Sequence, residues 1–161
     1  MSSRSELSAE GSPVLVVSRT FAAPPAVVFD AWTHAEHLAR WFGPKGFTLP
    51  FHEFDVAPGR VYRCCMRSPE GKDHWLRGRW REVTPFSRLA FTFQWDDDDG
   101  TEGLETDVTC TFEESPDGHC LLTLRQAPFK SVASRDGHVS GWEQSLQRLA
   151  EYLTGLKENE L

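Results

Sequence analysis

Two periods of hydrophobic patterning divide the chain. Between Phe47 and Phe129 apolar and polar residues alternate, in segments separated by Pro58-Gly59, Pro69-Glu70-Gly71, Thr84-Pro85, Asp96 to Gly103 and Ser115 to Gly118. Side chains on a strand point to opposite faces in turn, so the pattern predicts six strands joined as antiparallel hairpins. The alternation also assigns the faces. Leu76, Gly78 and Trp80 oppose Arg77, Arg79 and Arg81, while Leu89, Phe91, Phe93 and Trp95 oppose Ala90, Thr92 and Gln94. Val108, Cys110 and Phe112 oppose Asp107, Thr109, Thr111 and Glu113, and Cys120, Leu122, Leu124 and Gln126 form the inner set of the last strand. Arginines on one face against tryptophan and phenylalanine on the other predict a sheet wet on one side and covered on the other.

The cover is written at the C-terminus. Val139, Trp142, Leu146, Leu149, Leu153 and Leu156 recur at helical spacing. Such a stripe on a long helix is buried only by lying against the sheet. At the other end, Val14 to Phe21 is rich in β-branched residues and alternates after Val17, which predicts a first strand. Pro24-Pro25 stops it, and Pro25 suits the first turn of a helix. Residues 26–32 and 35–42 carry apolar residues at helical spacing and predict two short helices, the second ended by Gly43-Pro44. Residues 1–12 are polar and aperiodic, which predicts a frayed tail before one domain over residues 13–157. The predicted order is strand, two helices, six strands, long helix. That is an α+β fold, with about seven antiparallel strands curved around the C-terminal helix.

Composition narrows the class. A chain of 161 residues fits one core. The 11 Phe and 6 Trp supply large apolar area per side chain, enough for a few of them to fill a core or line a pocket. A net charge of −7 argues against nucleic acid as a partner, because phosphate binding needs clustered Lys and Arg. The longest early apolar run, Val14 to Val17, is too short for an export signal, and nothing approaches a membrane span, so a cytoplasmic location is expected. Cys64, Cys65, Cys110 and Cys120 show no CxxC spacing and read as reduced, mostly buried thiols.

Particular words in this order carry a resemblance. Residues 21–32 (Phe-Ala-Ala-Pro-Pro-Ala-Val-Val-Phe-Asp-Ala-Trp) and 41–47 (Trp-Phe-Gly-Pro-Lys-Gly-Phe) open it. Pro58-Gly59-Arg60-Val61-Tyr62, residues 78–85 and residues 88–93 continue it, and Gly141-Trp142 with Leu146, Leu149, Ala150, Tyr152 and Leu153 close it. Over residues 14–156 the chain resembles the START-like (SRPBCC, birch-pollen-allergen type) superfamily. Within it the chain is similar to the family homologous to the C-terminal domain of the activator of the heat-shock protein 90 ATPase. The resemblance implies a helix-grip fold with a ligand cavity between sheet and helix. It also implies two other roles, a chaperone-associated interaction module and a polyketide cyclase-like enzyme.

On that frame the expected cavity lining is Trp41, Leu76, Trp80, Phe91, Phe93, Cys110, Leu124, Gln126, His138 and Trp142, and the expected partner is a small apolar, aromatic or lipid-like molecule. Gln126, polar on an inward position, either orients a ligand or bonds within the core. Gly141, which costs a helix about 1 kcal/mol relative to Ala, marks either a close approach or a tolerated helix-start glycine. His138 is the best-placed proton-transfer group, with His74, Glu53 and Asp55 behind it, yet it lacks a carboxylate partner in the sequence. Ser140 and Ser145 stand outside any GxSxG context. His34 and His37 share a helix face without a third ligand. Asp96 to Gly100 fails as a calcium loop, since Trp95 and Thr106 occupy required ligand positions. No cofactor and no metal is expected. Arg77, Arg79 and Arg81 read first as a wet sheet face and second as a contact patch for an acidic partner.

Overall fold

Proline and glycine set the borders of the N-terminal elements. The computed structural model describes Ser2–Leu7, residues 12–96 and residues 103–159. Strand β1 spans Ser2–Leu7 and β2 spans Pro13–Phe21. Pro24 caps helix α1 (Pro25–Thr33) with an extended backbone, and Pro25 sits in the first turn, where its missing N–H costs nothing. Helix α2 (Ala35–Trp41) stops at Phe42, whose backbone turns extended, and Gly43 follows at φ +114°, a conformation that L side chains rarely adopt. The Trp41 indole N–H donates to the Ala31 carbonyl at 3.0 Å and ties the two short helices together.

Strands β3 (Thr48–Glu53), β4 (Val61–Arg67), β5 (Asp73–Thr84), β6 (Arg88–Trp95), β7 (Thr106–Glu114) and β8 (Cys120–Ala127) follow as a meander. The spatial order is β1-β2-β8-β7-β6-β5-β4-β3, every neighbouring pair antiparallel. Helix α3 (Val132–Asn159) lies against β2 and α2. This is the helix-grip arrangement expected, with the seven expected strands in the expected order. The N-terminus differs. Instead of fraying, Ser2–Leu7 pairs with β2 from Ser2 opposite Ser18 to Leu7 opposite Pro13 and makes an eighth strand. A sheet edge recruits a neighbour through backbone N–H and C=O groups, so a polar, aperiodic segment adds to it without leaving a side-chain signature. The rest of the expected tail, residues 1 and 8–11, and the acidic tip at 97–102 lie outside the described residues.

The apolar stripe of α3 is covered as its spacing requires: Trp142, Leu146, Leu149 and Leu153 are buried. No helix among the described residues is long and apolar enough to cross a membrane. All four cysteines are free and buried. Burial pushes the Cys64 thiol up to about 12 and the Cys110 thiol upward as well, which holds both in the unreactive neutral form.

One irregularity in the sheet has a specific cause. Between Arg77 opposite Gln94 and Trp80 opposite Phe91, the β5–β6 ladder opens. The Thr92 carbonyl accepts instead from the Tyr62 hydroxyl at 2.6 Å, and the Arg79 N–H donates to Thr92 Oγ1 at 2.8 Å. Tyr62 reaches across because its cross-strand neighbour is Gly78. A Cβ at position 78 would stand 2.1 Å from the Thr92 carbonyl oxygen and 2.4 Å from the Tyr62 ring. The same stitching buries Thr92, which alternation alone assigns to the wet face. Gly78→Ala is expected to cost about 3 kcal/mol of unfolding free energy, since the methyl meets backbone that cannot rotate aside. Tyr62→Phe, which removes one buried hydrogen bond, is expected to cost about 1 kcal/mol. Urea denaturation of the two variants beside the wild type checks both, and a wild-type midpoint for Gly78→Ala would refute the close approach.

Candidate functional site

A cleft of about 490 Å³ opens between the N-terminal half of α3, the end of β6 and the loop after α2. Phe93 and Trp95 face it from β6 and Met66 from the end of β4; Phe42, Gly43 and Pro44 close it from the loop. The helix contributes Ala133, Ser134, Gly137, His138, Gly141, Trp142 and Ser145, and Lys130 and Ser131 stand at its start. Aromatic rings define the walls. Phe93 and Trp95 meet edge to face at 5.3 Å, Phe93 and Trp142 lie 5.8 Å apart, and Phe42 and Trp142 6.0 Å apart.

The polar atoms of the aromatic walls are engaged with one another or with groups just behind them. Trp142 Nε1 donates to Gln126 Oε1 at 2.7 Å, Gln126 Nε2 donates to Thr106 Oγ1 at 2.8 Å, and Thr106 Oγ1 donates to the Phe93 carbonyl at 2.8 Å. Trp95 Nε1 donates to His138 Nε2 at 3.0 Å, and His138 Nδ1 lies 2.7 Å from the Ser134 carbonyl. An indole N–H only donates, so Nε2 must accept and Nδ1 must carry the proton. His138 is thereby held as one neutral tautomer. With their polar atoms paired, the rings present apolar faces to the cleft.

The floor near Gly43 is clamped to the helix. Arg148 donates from Nη1 to the Gly43 carbonyl at 2.9 Å and the Pro44 carbonyl at 3.2 Å, and from Nη2 to the Arg40 carbonyl at 3.3 Å. The Lys45 N–H donates to Gln144 Oε1 at 3.1 Å. Burial lowers the Arg148 pKa from its ordinary value, against the opposing Glu151 carboxylate. At the other end, Ser131 Oγ accepts the Ser134 N–H at 3.0 Å and caps the first turn of α3.

Of the ten residues expected to line a cavity, Phe93, His138 and Trp142 do so. Gln126 lies just behind the wall and borders a much smaller recess beside it. Trp41, Leu76, Trp80, Phe91, Cys110 and Leu124 are correctly inward but belong to the packed core. The reason is position along the strand. Phe91 meets Trp32 of α1 at 6.2 Å and Trp80 at 5.0 Å, so aromatic rings fill the space above it. Phe93, two residues further on, looks out beyond those helices toward the start of α3. Sequence reasoning passed over Phe42, Pro44, Met66, Gly137 and Ser145 as lining residues. Gly137 and Gly141, four apart, had a readable signal, since two glycines on one face of a helix leave a gap there. Gly141 is not a close approach: a Cβ added there would meet nothing nearer than Pro44 Cγ at 3.8 Å.

The other candidates are placed elsewhere. Glu53 and Asp55 are exposed, Asp55 within 3.6 Å of Arg60. His74 packs edge to face with Trp95 at 6.3 Å, outside the cleft. His34 Nδ1 bonds to the Asp30 carbonyl and His37 Nδ1 to the Tyr152 hydroxyl. Among the described residues no three His, Cys, Asp or Glu side chains gather as a metal site. On the outer face Arg63 and Arg77 both hold Asp96, at 2.7 Å each, and their hydrogen bonds and charges lower its pKa from the usual carboxylate value. Arg79 donates to the Gly59 carbonyl, and Arg81 lies 3.5 Å from Asp107. The arginine stripe is largely committed to its own strands.

The tautomer yields a direct check. Nitrogen-15 NMR of imidazole-labelled protein is expected to show His138 with a protonated Nδ1 and a pyridine-type Nε2 at neutral pH. In Trp95→Phe the Nε2 shift should move toward the average of an unrestrained imidazole.

Comparison with known proteins agrees with the fold. A family model described as Activator of Hsp90 ATPase homolog 1-like protein matches residues 22–154. Among solved structures, an AHSA1 protein from Silicibacter pomeroyi superposes with a TM-score of 0.80 at 29% identity, covering 88% of this chain and 97% of its own. A protein from Chromobacterium violaceum superposes at 0.76 with 26% identity, covering 86% and 96%. No curated protein sequence matches the chain.

Proposed function

Because the chain belongs to the Activator of Hsp90 ATPase homolog 1-like family and carries the START-like fold, we propose that it binds a small, mostly apolar molecule in the cleft beside α3. The observation that carries this reading is the composition of the wall. Phe42, Phe93, Trp95 and Trp142 face one space whose volume suits a small organic molecule, and their polar atoms are paired away from it. Gly137 and Gly141 leave the helix face open where a side chain would otherwise fill the gap. A flat apolar body entering there exchanges water for aromatic surface, which is favourable in proportion to the area hidden.

Neither alternative draws on a comparable feature. An enzyme of cyclase type needs a group that takes up a proton at the reacting atom. The best-placed one, His138, has its Nε2 lone pair occupied by the Trp95 indole. On the arginine stripe, Arg77, Arg79 and Arg81 already contact Asp96, the Gly59 carbonyl and Asp107.

Prodan, a fluorescent naphthalene ketone, suits the test. The wild type is expected to bind it saturably, with a blue-shifted emission. Gly141→Leu is expected to weaken binding at least tenfold by filling the cleft, with an unchanged or higher urea midpoint because leucine is the better helix former. Unaltered prodan affinity in Gly141→Leu would remove the cleft as the binding site.

A further inference from the structure

Ser145 is the most deeply buried polar residue on the cleft wall. It lies on helix α3 beside the stripe residues Trp142 and Leu146, it is 3% exposed, and it stands on the cleft wall. A serine inside a helix commonly returns its hydroxyl to the carbonyl four residues back. Thr33 and Thr154 make that bond here, to Phe29 and Ala150. Ser145 does not make that bond among the described residues, and its Oγ is not one of the fully enclosed unpartnered atoms, which are the Trp32 and Trp80 indole nitrogens, so the hydroxyl opens onto the cleft. A hydroxyl open to the cleft is hydrated while the cleft holds water, and an apolar body that displaces that water leaves it unpaired. Its position on the wall makes it a recognition element, since a bound molecule that supplies a hydrogen-bonding atom there avoids that loss.

The direction of approach follows from the helix. From Ser131, exposed at the start of α3, to Ser145 is roughly 21 Å of helix axis at 1.5 Å per residue, and lining residues occur along the whole of it. Exposure falls along this line, with Ser131, Ala133 and Gly137 open, His138 and Gly141 half-buried, and Trp142 and Ser145 buried. The inner end is the end clamped by Arg148.

We infer that Ser145 is the polar anchor of the cleft, and that its ligands are elongated, mostly apolar molecules with a hydroxyl or carbonyl oxygen at the end that enters first. The inference rests on the cleft reading above and adds the ligand's one required polar group. A serine hydroxyl both donates and accepts, so either oxygen type satisfies it, whereas a plain hydrocarbon leaves it unpaired.

The test compares 2-naphthol with naphthalene by equilibrium dialysis against the wild type, Ser145→Ala and Gly141→Leu. The wild type is expected to prefer 2-naphthol about fivefold, the factor that one net hydrogen bond supplies. Ser145→Ala should abolish that preference while holding naphthalene as well as before or better, and Gly141→Leu should weaken both compounds. If both compounds bind and Gly141→Leu blocks them, yet Ser145→Ala keeps the wild-type preference, the anchor is overturned and the cleft stands. Equal wild-type affinities have the same meaning. If neither compound binds the wild type, the cleft reading falls and this inference goes with it.

Discussion

Trp142 is where the elements of the fold converge. Its ring stacks on Trp32 of α1 at 5.9 Å, meets Phe42 after α2 at 6.0 Å and Phe93 of β6 at 5.8 Å, and its Nε1 bonds to Gln126 of β8. A large side chain with one polar atom is satisfied in an apolar interior only where a single acceptor waits at the right place. Gln126 is that acceptor, and its amide is held in turn by Thr106, whose hydroxyl returns to β6. One indole therefore ties the long helix to α1, β6 and β8 at once. It also marks the boundary between packed core and open cleft, because Trp142 has one side against Trp32 and the other on the cleft.

That boundary explains how one sheet face serves two purposes. Toward α1 and α2 the inward residues meet tryptophans, with Trp32 and Trp41 edge to face at 4.7 Å and both fully buried. Toward the start of α3 the helix offers Gly137 and Gly141, and the same sheet face stays open. Arg148 and Gln144 hold the loop after α2 at the far side, so the gap keeps its floor without a strand beneath it. Elsewhere on the inward face, Gly78 makes room for the buried Tyr62, whose hydroxyl donates to the Thr92 carbonyl.

How much was legible beforehand differs between fold and site. Alternation every second residue identified the inward faces of β5 to β8, and helical spacing identified the covered stripe of α3, because each follows from the geometry of one element alone. The family words over residues 14–156 agreed with both. Of the residues expected to line a cavity, Phe93, His138 and Trp142 fall on the cleft. Trp80, Phe91 and Leu124 carry the same inward signal as Phe93, and nothing local separates a ring with a helix packed over it from a ring beside a gap.

The amino-acid order by itself determined the element types, their succession, the two faces of the sheet and the buried side of α3, all of which depend on neighbours a few residues away. Tertiary structure alone decided three things. It recruited Ser2–Leu7 as an edge strand through backbone groups that every sequence possesses. It divided the inward face into core and cleft by where α1 and α2 end over β6. It paired Trp95 with His138, residues 43 apart, and set Ser145 on the cleft wall they share. Each of these depends on distances between elements, which a one-dimensional period does not contain.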